Sequence, residues 1–213
     1  MKTTLLALLL ALAPFARAND VARLEASLLL LETDPASAES AAVLAELRAA
    51  GPAPLVEALS RSREIDDEAA DPALAAVGRS ACLVLSGESD PASLQALSLA
   101  LADPAAPLSV RAAALAALDA RADSRSTLDL AEVLAQDHGA VQDIEYAAEP
   151  GAPWRPVRLL LDPELPLKEG AAALLARFAA NDSPRIRRRA AAALRTSIEG
   201  SSPGGRAAAA RAL

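Results

Sequence analysis

Aromatic residues are nearly missing from this chain: two Phe, one Tyr and one Trp in 213 residues. Val and Ile are sparse as well, so the residues that favour pleated sheet are in short supply. The single cysteine, Cys82, sits in the apolar run RSACLVL and has no second cysteine to pair with. It reads as a small buried hydrophobe, and the fold must stand on burial alone. The single histidine, His138, has no second His or Cys near it, which speaks against zinc. Asp137, Asp143 and Glu145 surround it in sequence, but loop carboxylates beside a lone His are ordinarily solvated. The acidic run REIDDEAAD lacks the spacing and the glycine of a calcium loop and reads as a solvated linker. No Gly-rich phosphate loop and no GxSxG elbow occurs. The composition and motifs therefore imply no cofactor, no metal, no catalytic residue and no enzymatic activity. Net charge is −7, a poor basis for general nucleic-acid binding.

Long apolar runs are missing too. The longest, Leu5–Ala13, is shorter than the ~20 residues a transmembrane helix needs. Lys2 precedes it, and Ala16-Arg17-Ala18 places small residues where a signal peptidase cuts. Residues 1–18 therefore read as a secretory signal peptide, with a periplasmic or secreted mature chain starting at Asn19 and no transmembrane segment in it. The mature chain would carry 19 basic and 28 acidic groups, net −9.

What the chain has in abundance is Ala and Leu, the strongest helix formers, punctuated by fifteen Pro and nine Gly. Apolar helix ends run into an aspartate at Asp34, Asp71, Asp103, Asp137 and Asp182, with spacings of 37, 32, 34 and 45. A period in the thirties built from two helices marks a helical repeat array. Asp34-Pro35 and Asp71-Pro72 pair an N-cap acceptor with a proline suited to the first helical turn. Val110, Ala114 and Leu118 step by four, as do Ile186, Ala190 and Leu194, and the offset of 76 is two units of 38. The spacing predicts first helices at 21–31, 53–62, 92–102, 125–136 and 168–180. Second helices are predicted at 37–49, 72–85, 108–119, a short one near 140–147, and 184–198.

The stretches DPAAPLSVRAAALAAL and NDSPRIRRRAAAALRTS resemble the HEAT-repeat family of armadillo-like proteins: a loop Asp, then Val/Ile-Arg opening an Ala- and Leu-rich second helix. The resemblance implies an all-α fold, a right-handed α-solenoid of about five antiparallel helix pairs over residues 19–199. It also implies a ladder between repeats from Asp103 with Arg111 and Asp182 with Arg187, with Asp71 and Arg79 a looser match. Such arrays are mostly protein-binding scaffolds, and a few HEAT-like proteins resemble bilin-attaching lyases or act on DNA bases. Residues 200–213 read as a Gly/Ser/Pro linker and an Ala-rich helical end.

Residues 138–167 break the pattern. Five prolines there forbid a long helix, and the stretch holds the only His, Tyr and Trp. Two readings stand side by side. Tyr146, Trp154 and Arg155 could form a binding loop, since Trp, Tyr and Arg dominate interface hot spots. Alternatively Trp154 and Val157–Leu161 could plug the gap left by a degenerate helix.

Charge is uneven. Residues 19–70 sum to −7, residues 71–176 to −8 and residues 177–213 to +6. Arg185, Arg187, Arg188 and Arg189 form the run RIRRR. It reads as a solvated face, as a site for an anionic lipid, cell-wall polymer or acidic protein through Arg185, Arg188 and Arg189, or as one half of a head-to-tail self-contact. The expected function is an exported, non-catalytic protein-binding scaffold or adaptor with an unidentified protein partner. An envelope-surface binder is the alternative, and a HEAT-like lyase a more distant one.

Overall fold

The computed structural model describes residues 17–65, 68–137, 139–147, 153 and 155–213. All but the last two residues of the expected signal peptide, the acidic pair Asp66 and Asp67, His138 and Trp154 lie outside the described residues.

The chain is mostly helical. In order run α1 (Arg17–Thr33), α2 (Ala38–Ala50), α3 (Pro52–Ser62), α4 (Pro72–Leu85), α5 (Pro91–Ala102), α6 (Leu108–Arg121), a 3-10 turn (Ser124–Ser126) and α7 (Thr127–Ala135). Two strands follow, β1 (Ala140–Tyr146) and β2 (Arg155–Leu161), then α8 (Leu165–Ala179), α9 (Pro184–Gly200) and α10 (Pro203–Ala212). The helices start where the local chemistry favours it. Asp71 accepts from the Leu74 amide at 3.0 Å and Asp90 from the Ser93 amide at 2.9 Å, each followed by a proline at the first helical position. Ser37 caps α2 and Ser202 caps α10 in the same way.

One continuous apolar core joins the helices. It is built from Leu, Val and Ala, with Leu28, Leu59, Val77, Leu97, Val110, Leu118, Leu134 and Leu175 sealed from solvent. The repeated steps of four noted in the sequence supply it: Val110, Ala114 and Leu118, then Ala190 and Leu194, are all buried. Cys82 is buried among them, and loss of hydration pushes its thiol up to about 12. α4 packs on α1, α3 and α6; α5 packs on α3, α6 and α7; α8 packs on α6, α7, α9 and α10.

The expected short helix near 140–147 is instead a strand. β1 pairs antiparallel with β2, in register from Ala140↔Leu161 to Tyr146↔Arg155. Both halves favour this. AVQDIEY alternates in period two, RPVRLLL is aliphatic, and the prolines between them exclude a helix. Because α7 and α8 are themselves in contact, this hairpin interrupts the chain between two packed helices.

Candidate functional site

The two strands of the hairpin pack on one another, and among the described residues no helix makes an extensive contact with either of them. The register places residues 140, 142, 144 and 146 on one side of the ribbon with 155, 157, 159 and 161. Of the described side chains on that side, Gln142 and Arg155 are polar and Val157, Leu159 and Leu161 apolar. Val157 is half-buried there, while Leu159 and Leu161 are 39% and 49% exposed. A plug would need these leucines covered. An isolated two-stranded hairpin is marginal in water, so the question becomes what holds this one.

Its root is held by buried polar groups. Asp162 directly follows β2 and shares a fully buried ion pair with Lys168 of α8 at 2.6 Å. The other Asp162 oxygen accepts from the Glu164 amide at 2.9 Å. Lys168 Nζ also donates to Ser202 Oγ at 3.3 Å, which bonds the Leu134 carbonyl at the end of α7. Two glycines let α10 come this close: a β-carbon at Gly204 would overlap the Asp162 carboxylate, and one at Gly205 the Leu134 carbonyl oxygen.

A second buried knot lies beside it. Arg111, in the first turn of α6, is 1% exposed and has no room for water to satisfy its guanidinium. Its Nε donates to the Leu101 carbonyl at 3.1 Å, its two terminal nitrogens to Glu164 and Gln136. Gln136 Nε2 in turn donates to the Ala102 carbonyl at 2.5 Å. One guanidinium therefore ties the end of α5, the end of α7 and the start of α8 together. Three planar donor directions and a permanent charge suit arginine to that task.

The ladder inferred from the family resemblance takes a different form. Asp103 accepts from Arg63, the residue after α3, at 3.1 and 2.9 Å rather than bonding Arg111. Burial pushes the Asp103 carboxyl up, but the Arg63 hydrogen bonds, the Ala105 amide and the charges of Arg63 and Arg111 outweigh it, leaving it below the ordinary carboxylate range. Asp71 caps its own helix, while Arg79 reaches Glu32 and Glu68. Asp182 and Arg187 are both exposed, and among the described residues no ion pair joins them.

Of the other residues singled out, Tyr146 and Arg155 are cross-strand partners at the tip of the hairpin, with Arg155 exposed. Arg185, Arg188 and Arg189 are exposed on α9, away from the hairpin tip in sequence and on a different element. The repeat spacing does not mark the root residues Gln136, Asp162, Glu164, Lys168 and Ser202. Two signals point to them: Asp162-Pro163 repeats the Asp-Pro device seen at the helix starts, and Lys168 is the only lysine beyond Lys2 in a chain with nineteen arginines.

Among the described residues no group of three or more His, Cys, Asp and Glu side chains could hold a metal ion, and no helix is long and apolar enough to cross a membrane. The arrangement offers a firmly rooted, partly apolar β-ribbon. No protein-family model, curated protein or solved structure matches this chain.

Proposed function

We propose that this chain is an exported, non-catalytic scaffold that binds a protein partner through the β1–β2 hairpin, carried on a HEAT-like α-solenoid. In this reading α7 and α8 are the two members of the fourth helix pair, and the hairpin is an insertion between them. Per-repeat insertions of this kind gather on one face of a helical array, often the binding face. The observation that carries the reading is the exposed Leu159 and Leu161 on a ribbon with which, among the described residues, no helix makes an extensive contact. The partner is a polypeptide with an apolar patch or extended segment to lay against that ribbon, with Tyr146, Trp154 and Arg155 as its candidate anchors in the sequence. Export follows from the signal-like residues 1–18. The absence of catalytic motifs from the sequence favours binding over chemistry.

The test is partner capture from the exported fraction. Wild type is compared with Leu159→Ser/Leu161→Ser and with Trp154→Ala, each checked for unchanged helicity. Loss of a defined captured protein with both variants supports the reading. Equal capture by all three, or turnover of a substrate by the purified chain, refutes it.

A further inference from the structure

A second surface remains that the hairpin does not explain. Arg185, Arg187, Arg188, Arg189 and Arg195 of α9 are all exposed, and among the described residues none of the five has a carboxylate partner. Elsewhere Arg61, Arg63, Arg79, Arg111, Arg125, Arg177 and Arg211 each meet one, while Arg121 and Arg206 bond backbone carbonyls. Arg188 Nε donates to the Pro184 carbonyl of its own helix at 3.1 Å, but the cluster as a whole does not suit that helix. Four lie in the first two turns of α9, where cations oppose the helix dipole, and no acid offsets them in the first turn.

Opposite charge is gathered on a different set of helices. Asp34, Glu39, Glu57 and Glu64 are exposed around α2 and α3, and none has an ion-pair partner among the described residues. α2 packs on α1, α3 and α4, whereas α9 packs on α7, α8 and α10, so the two surfaces share no helix. α2 is also thinly covered. It buries Ser40 and Leu47 but leaves Ala38, Ala41, Ala42, Ala45 and Ala49 exposed between its acids. Residues 19–70 sum to −7 and residues 177–213 to +6, so the two ends of one chain nearly neutralise each other.

We propose that the arginine face of α9 docks on the acidic α2–α3 end of a second copy of this chain, head to tail. A second copy fits better than a polyanionic surface, because residues 19–176 carry −15 and would be repelled by such a surface as α9 approached it. The two patches differ, so each contact leaves one free arginine face and one free acidic face. The product is an open series of oligomers rather than a closed two-fold dimer. This contact is independent of the hairpin, and either reading can fail without the other.

The test is sedimentation of the purified chain at low and high salt. At about 20 mM salt the mean mass exceeds that of the 21.8 kDa monomer and grows with concentration, and at about 500 mM it returns to monomer, as screening requires. Arg185→Glu/Arg188→Glu/Arg189→Glu weakens the contact at least ~10-fold, as does Glu39→Arg/Glu57→Arg/Glu64→Arg. The arginine replacement does not threaten folding, since acids at a helix start favour the helix. Mixed one to one, the two charge-reversed variants associate again. A wild type that stays monomeric at low salt overturns the proposal, as do oligomers indifferent to both variants. Salt-sensitive binding of anionic vesicles through the same arginines by a monomeric chain also overturns it, and assigns α9 to a polyanion.

Discussion

The paired helices α3–α6 and the hairpin root solve the same problem by opposite means. Between the helices the seal is apolar: Leu59, Val77, Leu97, Val110 and Leu118 meet with no charge among them. At the root, where two strands leave and a helix resumes, the seal is made of Arg111, Glu164, Gln136, Asp162 and Lys168. Apolar contact is non-directional and holds helices in close packing. It cannot by itself fix the exit angle of a ribbon whose described side chains are mostly exposed. Directional hydrogen bonds can, and the helix ends α5 and α7 supply carbonyls for them.

The comparison breaks most decisively by removing one member of a buried pair. Lys168→Ala leaves Asp162 charged and buried, with an expected loss of ~3–5 kcal/mol in denaturant unfolding. Asp162→Asn/Lys168→Met together should recover much of that loss, because no charge is then stranded. Arg111→Ala should lose a similar amount, while Leu118→Ala in the apolar seal should lose ~2–5 kcal/mol. If the polar root is as directional as argued, Arg111→Ala will also blur the NMR signals of the hairpin, and Leu118→Ala will not.

Next in size is Gly205→Ala, whose β-carbon meets the Leu134 carbonyl. Displacing α10 should lose ~1–3 kcal/mol by thermal or chemical unfolding. Smaller still is the pH dependence. The Asp103 carboxyl is held below its ordinary value, so its contribution is complete above the unfolded value of about 3.9 and declines as pH falls through the folded one. Asp103→Asn should therefore flatten part of the acid limb of a stability–pH curve, by under ~1 kcal/mol because the pair is partly exposed. At the alkaline end the sign reverses for Cys82. Its thiol stays protonated when folded, whereas the unfolded thiol ionises above about pH 8.5, so stability falls there and thiol reagents label it only on unfolding. Smallest is Leu159→Ser/Leu161→Ser, expected within ~0.5 kcal/mol of wild type, since exposed side chains of the ribbon seal nothing.

Much of the helical part was legible. Local chemistry starts several of the helices, so Asp71-Pro72 predicts α4 over 72–85 with no knowledge of its neighbours. The strands were missed although AVQDIEY alternates plainly, because the helical repeat on either side set the expectation of a helix there. The pairings at the root were not legible, for a physical reason: Arg111 and Glu164 lie 53 residues apart and meet only because α8 packs back on α6 and α7. Spacing arguments see pairs within a repeat, such as Asp103 and Arg111. They cannot see that Arg63, forty residues before Asp103, takes that carboxylate first. The Arg cluster on α9 was visible from composition. Its exposure, and its lack of partners among the described residues, were not.

The two ends of the ribbon are neighbours: a β-carbon at Gly139 would lie 3.2 Å from that of Asp162. The helices therefore meet the insertion chiefly through the gap between residues 139 and 162. Doubling the length of such a loop adds only ~0.6 kcal/mol to its closure. The root thus acts as a socket for interchangeable inserts. A strand pair of another sequence, or a whole small domain whose termini sit side by side, could be spliced there, provided Asp162 and Glu164 are kept.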